Sequence, residues 1–150
     1  MGIVRTLVVA AAVAAAPAMV LANVATTIQE RQENFKAIGR ANKAIQDELK
    51  RPRPSADVIR TNAAALERAS QQIPRFFPAG SGPEAGVKTE ALPAIWKNPA
   101  GFADAAEKNL AAARALKAAA DSGDMARIRA TAEALGPTCK TCHDQFRGKS

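Results

Sequence analysis

The stretch MARIRATAEALGPTCKTCHDQF, residues 125–146, decides the fold. Met125, Ile128, Ala132, Leu135, Cys139, Cys142 and Phe146 follow one another at intervals of three and four without a slip. That spacing is the a/d seam of a helix that packs against other helices. Both cysteines sit on the seam, so they face a core. Gly136-Pro137 interrupts the stretch locally; the unbroken phase argues for a kink in one helix, with a junction of two helices as the alternative.

Cys139-Lys140-Thr141-Cys142-His143 holds both cysteines and the single histidine of the 150-residue chain. Cys-x-x-Cys-His is the attachment signature of a c-type haem. Two thiols add to the two vinyl groups of one porphyrin, and the adjacent imidazole reaches the iron. Three other readings compete. A thioredoxin-like redox pair belongs beside a βαβ pattern, which is not found here. A structural zinc site needs four ligands where this cluster offers three. A disulfide between residues so close is strained on a helix.

Upstream, amphipathic segments recur. Ile28, Phe35, Ile38, Ile45 and Leu49 form one stripe over residues 26 to about 50, with Thr26 or Thr27 as cap and Glu30 completing a capping box after Thr27. Arg31 lies on that apolar stripe, either snorkelling at the bundle end or facing a buried anion such as a haem propionate. Arg51-Pro52-Arg53-Pro54 ends the helix, and Ser55 caps a second running to about Gln72, with Ile59, Leu66 and Ile73 inward. Residues 74–98 form a long connection rich in Pro and Gly, in which Phe76, Phe77 and Trp96 are apolar anchors. Asn98-Pro99 starts a third helix to about Ala120, with Phe102, Ala106, Leu110, Ala113, Leu116 and Ala120 as its stripe. Asp121 or Ser122 caps the last helix. The result is an all-α, antiparallel four-helix bundle with a long crossover between helices 2 and 3.

The N-terminus reads separately. A basic start at Arg5, an Ala/Val-rich apolar run and Val20-Leu21-Ala22 predict a signal peptide over residues 1–22, leaving residues 23–150 as one domain. The run is short for a membrane span, and Pro17 interrupts it. The formal charge is +7, but the cations are scattered among acids with few aromatics, which describes a solvated surface and no nucleic-acid site.

With its Cys-x-x-Cys-His at the end of a fourth helix, Arg31-Gln32 in the first and Pro93-Ala94-Ile95-Trp96 before the third, residues 23–150 resemble the cytochrome c′ family. The resemblance implies one covalent haem c on Cys139 and Cys142, iron held by His143, and an empty sixth position covered by Phe35. It implies that Arg31 and Gln32 contact a haem propionate, that Glu90 lies at the haem edge, and that Arg147 stands near the proximal side. It implies a periplasmic protein that passes electrons to redox partners or binds NO or CO, and a homodimer through helices 1 and 2. The related c556 type adds a first-helix methionine as sixth ligand and carries electrons in a low-spin state. Here the only methionine beyond the leader is Met125, 18 residues before His143 and about 27 Å away along a straight helix. Lys36 is the remaining protein candidate. One histidine cannot build a distal acid–base pair, so no enzyme activity is expected.

Overall fold

The computed structural model describes the backbone of residues 16–148 and side chains from residue 23 onward. Five α-helices follow in order: α1 (Ala16–Leu49), α2 (Ala56–Gln71), the single turn α3 (Ala94–Lys97), α4 (Pro99–Ser122) and α5 (Met125–Phe146). Two 3-10 turns, Ile73–Phe76 and Pro83–Ala85, lie in the connection after α2. The four long helices form the bundle. α1 packs on α2, α2 on α4 and α4 on α5, whereas α1 and α5 scarcely touch.

The punctuation is chemical. Leu49 ends α1 before the Arg-Pro-Arg-Pro run, and Arg129 of α5 donates from Nη1 to the Leu49 carbonyl at 2.8 Å. Ser55 caps α2 by accepting the Val58 N–H. Asn98 caps α4 through the Gly101 N–H at 3.0 Å, with Pro99 at the first position, where its missing N–H costs no bond.

Two expectations need correction. α1 starts at Ala16, not Thr26, and Thr27 is inside it, donating back to the Asn23 carbonyl at 3.0 Å. Alanine is the strongest helix former, so an Ala-rich stretch before Thr26 continues the helix. The expected leader falls mostly outside the described residues. The cap of α5 is Asp124, whose Oδ1 accepts from Ala126 and Arg127 N–H at 3.0 and 3.1 Å. α4 runs on to Ser122 and takes in both expected caps. Gly123 ends it at φ +71°, which suits glycine, and Asp124 is then the first residue free to cap. A third expectation holds: α5 passes through Pro137 as one helix, as the unbroken phase argues. Pro137 removes one backbone donor, and one residue on, the Thr138 hydroxyl donates to the Leu135 carbonyl at 2.7 Å.

The core has two parts. Ile45, Ile59, Leu66, Leu116, Ile128 and Leu135 meet with alanines of all four long helices toward the α1–α2 turn. Ile73, Ile95, Phe102 and Phe146 form a second cluster, with Phe35, Ile38, Phe77, Trp96 and Cys142 against it. The second cluster joins the end of α2, the start of α4 and the end of α5. Those ends therefore lie together, and neighbouring helices are antiparallel.

Candidate functional site

α1 and α5 part toward the aromatic end, and a cavity of about 940 Å³ lies between them. That is near the upper end for small-molecule and cofactor sites. Its border includes every residue that the resemblance places around a haem: Arg31, Gln32, Phe35, Glu90, Cys139, Cys142, His143 and Arg147.

α5 supplies the reactive wall. Cys139 and Cys142 stand three residues apart, so they lie about one turn apart on the same face. Both thiols are free and half-buried. Burial pushes the Cys139 thiol up from its ordinary value, partly offset by the polar side chains of Thr138 and Asn109 beside it. Burial also raises Cys142, with the neighbouring Cys139 adding to it. His143 borders the cavity with its side chain partly open to solvent. Burial first, then the Arg147 cation, lowers its pKa, while Asp144 and Glu90 pull the other way. The net effect favours the neutral imidazole, the form that coordinates metals.

α1 supplies the facing wall. Phe35 and Ile38 are half-buried against the cavity. Arg31 is only 3% exposed, so it does not snorkel. Its Nη1 donates to the Phe76 carbonyl and Ser81 Oγ, both at 3.3 Å. Its Nη2 donates to the Ser81 carbonyl at 2.9 Å and Thr89 Oγ1 at 2.8 Å. The guanidinium also lies 4.7 Å from the Phe77 ring centre. Burial lowers the Arg31 pKa. Gln32 adds a bond from Nε2 to the Lys88 carbonyl at 3.0 Å. Together the pair straps residues 76–89 across the mouth.

Glu90 and Arg147, read separately in the sequence, meet: Arg147 Nε donates to Glu90 Oε2 at 2.6 Å. Around them the Gly148 N–H donates to the Glu90 carbonyl at 2.7 Å, and the Leu92 N–H to the Phe146 carbonyl at 3.0 Å. The connection is thereby clipped to the end of α5. Two of its aromatic anchors, Phe77 and Trp96, dock on the bundle, and Phe77 also borders the cavity. Phe77 packs 4.7 Å from Phe102 and 6.2 Å from Phe35 and Trp96, and Trp96 Nε1 donates to the Phe77 and Pro78 carbonyls.

Sequence reading missed Asn42 and Asn109, which also border the cavity. Both occupy seam positions: Asn42 falls four residues after Ile38 and three before Ile45, and Asn109 three after Ala106 and four before Ala113. Polar residues in otherwise apolar stripes were the available signal.

The residues fit a c-type haem. Two free thiols and an imidazole line one wall of a roomy apolar cavity, and a buried cation stands at its mouth. Among the described residues no group of three or more His, Cys, Asp or Glu side chains converges as a metal site, which disfavours the zinc reading. A helical bundle that carries Cys-x-x-Cys-His on the cavity wall near the end of its last helix has the layout of a bundle-type c-type cytochrome.

Comparison with known proteins makes the assignment particular. The family model described as cytochrome c′ matches residues 26–147, and the chain belongs to that family. Cytochrome c′ of Rhodospirillum rubrum is 37% identical over 131 residues, 84% of either chain. The crystal structure of cytochrome c′ from Rubrivivax gelatinosus superposes with a TM-score of 0.74 at 36% identity, covering 81% of this chain and 94% of that one. A nitric oxide complex of a cytochrome c prime variant from Alcaligenes xylosoxidans superposes with a TM-score of 0.74 at 27% identity, covering 82% and 94%.

Proposed function

We propose that residues 23–150 work in the periplasm as a single-haem cytochrome whose iron keeps one face open to a small neutral gas, NO or CO, and exchanges electrons with partner proteins. The haem would supply a one-electron iron centre able to take a diatomic ligand. Cys139 and Cys142 would tether it covalently, and His143 would bind the iron through a ring nitrogen. Phe35 and Ile38 keep the opposite side apolar and narrow, which favours neutral diatomics over anions. Arg31 and Gln32 present donors and positive charge to the haem carboxylates while they hold the strap. Glu90 and Arg147 hold the connection against the end of α5. The nitric oxide complex of the Alcaligenes relative supports the gas reading.

One observation carries the proposal. Among the described residues, the cavity border offers His143 on one wall and no second histidine or methionine. Met125 packs instead against the far, closed cluster. Lys36 reaches the border, but its ammonium is drawn outward to Glu33 at 2.7 Å. A leader removed after Ala22 accounts for the periplasmic assignment. No helix among the described residues is long and apolar enough to cross a membrane.

The test is the spin state of the purified ferric protein and the reaction of the ferrous protein with CO. The expected result is a high-spin spectrum and CO uptake in the parent, and loss of all covalently retained pigment when Cys139→Ala and Cys142→Ala are combined. A six-coordinate low-spin spectrum with no CO uptake overturns the open-face reading and leaves plain electron transfer.

A further inference from the structure

Asn109 is an anomaly in the seam of α4. It is 6% exposed and sits between Ala106 and Ala113 on an otherwise apolar stripe. Its Nδ2 donates to Thr138 Oγ1 at 3.2 Å and to Cys139 Sγ at 3.5 Å. Its own carbonyl oxygen is buried with no hydrogen-bond partner among the described residues. An amide oriented to leave its oxygen unsatisfied must gain from where its N–H groups point.

The orientation is fixed by Thr138. That hydroxyl spends its proton on the Leu135 carbonyl at 2.7 Å, so toward Asn109 it can only accept. The amide nitrogen therefore faces α5, and its second N–H faces Cys139. On covalent attachment the thiol adds across a vinyl group: a C–S bond forms at one vinyl carbon, the thiol hydrogen goes to the other, and no electrons are exchanged with an outside reagent. The sulfur then carries no proton and can only accept. An N–H donor beside it withdraws electron density from the porphyrin edge that the sulfur joins. Hydrogen bonds from surrounding groups are among the means by which a protein sets a haem potential.

We propose that Asn109 tunes the haem of this protein by donating an amide N–H to the Cys139 thioether sulfur, which raises the reduction potential of the iron. The proposal rests on the haem reading above. The alternative is that Asn109 only ties α4 to α5 through Thr138, and two sets of variants separate these. Asn109→Leu removes both donors. Asn109→Ala, the residue this seam already carries at 106 and 113, does the same without overpacking. Thr138→Val removes the inter-helix tie, while the thioether sulfur, an acceptor only, still holds the amide nitrogen of Asn109 toward α5.

The experiment is redox titration of the haem-loaded full-length product, with spin state and thermal unfolding followed in parallel. The expected result is a lower midpoint potential in both Asn109 variants, an unchanged ferric spin state, and a Thr138→Val potential at the parent value despite any loss of stability. A parent potential in the Asn109 variants overturns the proposal, as does an equal shift in Thr138→Val. A parent chain that retains no covalent pigment removes the haem reading, and the tuning role with it. A pigmented parent whose potential ignores Asn109 removes the tuning role alone.

Discussion

Toward the α1–α2 turn, Ile45, Ile59, Leu116 and Ile128 meet at the bundle centre with no exposed surface, while at the other end the same four helices part around a cavity of about 940 Å³. The closed end is built from aliphatic side chains and from alanines at 41, 63, 113, 119, 120 and 132, which let backbones approach closely. The open end has four aromatic contacts, from Phe35 through Phe77 and Trp96 to Phe102 and Phe146, and still leaves Phe35 and Ile38 half-buried. The closed end satisfies itself. The open end is held apart by polar straps and gains its remaining packing from what it binds.

The sharpest way to break this contrast is to excavate the closed end. Leu116→Ala should cost about 2–5 kcal/mol, the range for a buried leucine whose surroundings relax only partly. The readout is denaturant unfolding. A loss under about 1 kcal/mol would mean that the closed end is no better packed than the cavity end.

Next in size is the strap. Arg31→Met keeps an unbranched apolar stem and removes four donors, leaving loop oxygens of Phe76, Ser81 and Thr89 without them. A loss of about 1–3 kcal/mol is expected for buried groups left unpaired. Hydrogen exchange should quicken over residues 76–89 and stay unchanged in α2. Faster exchange throughout the chain would show that the two ends do not respond separately.

Phe35→Ala should do little to stability. A half-buried ring facing an existing cavity loses about 1 kcal/mol, because only part of its surface leaves water on folding. Its effect belongs to ligand access. CO association should rise about tenfold for each ~1.4 kcal/mol of barrier the ring imposes. An unchanged rate would remove Phe35 from the path to the iron.

The two ends also differed in legibility. At the closed end, regular spacing was enough: Ile45, Ile59, Leu116, Ile128 and Leu135 fall on their stripes and are buried as the stripes predict. At the open end the motif announced Cys139, Cys142 and His143, because that spacing encodes chemistry. The tertiary pairings did not show. Arg31 reaches residues 45 to 58 positions away, and Glu90 meets Arg147 across 57. No local period carries such distances. Asn109 was passed over in favour of Leu110 because a stripe read for apolar residues steps past a polar one. The α5 cap was misplaced for a local reason: Asp121, Ser122 and Asp124 are all good caps, and only the end of α4 at Gly123 decides among them.

The smallest expected effect tests the closed end through a proton. Glu48 is 6% exposed at the α1–α2 turn, where its carboxylate accepts the Ser55 N–H at 2.7 Å and Arg51 Nη1 at 3.1 Å. The Ser55 N–H, and then Arg51, hold its pKa below the ordinary 4.5, against the opposing effect of burial. A carboxyl whose pKa is lower in the folded chain binds fewer protons there than in the unfolded chain near that value. Its contribution is therefore complete above pH 4.5 and is lost as the pH falls through the lower, folded-state value. Stability should decline with acid in that window, and Glu48→Gln should flatten the decline without abolishing it. The remainder belongs to groups such as Asp47, whose pKa is also lowered, chiefly by Lys43, but whose pairing is exposed and screened by solvent. Because the turn lies at the far end from the cavity, the slope removed by Glu48→Gln should be the same with and without haem. A slope that depends on haem would mean that the cavity's occupancy is felt along the whole bundle, and the two ends would then be one cooperative unit.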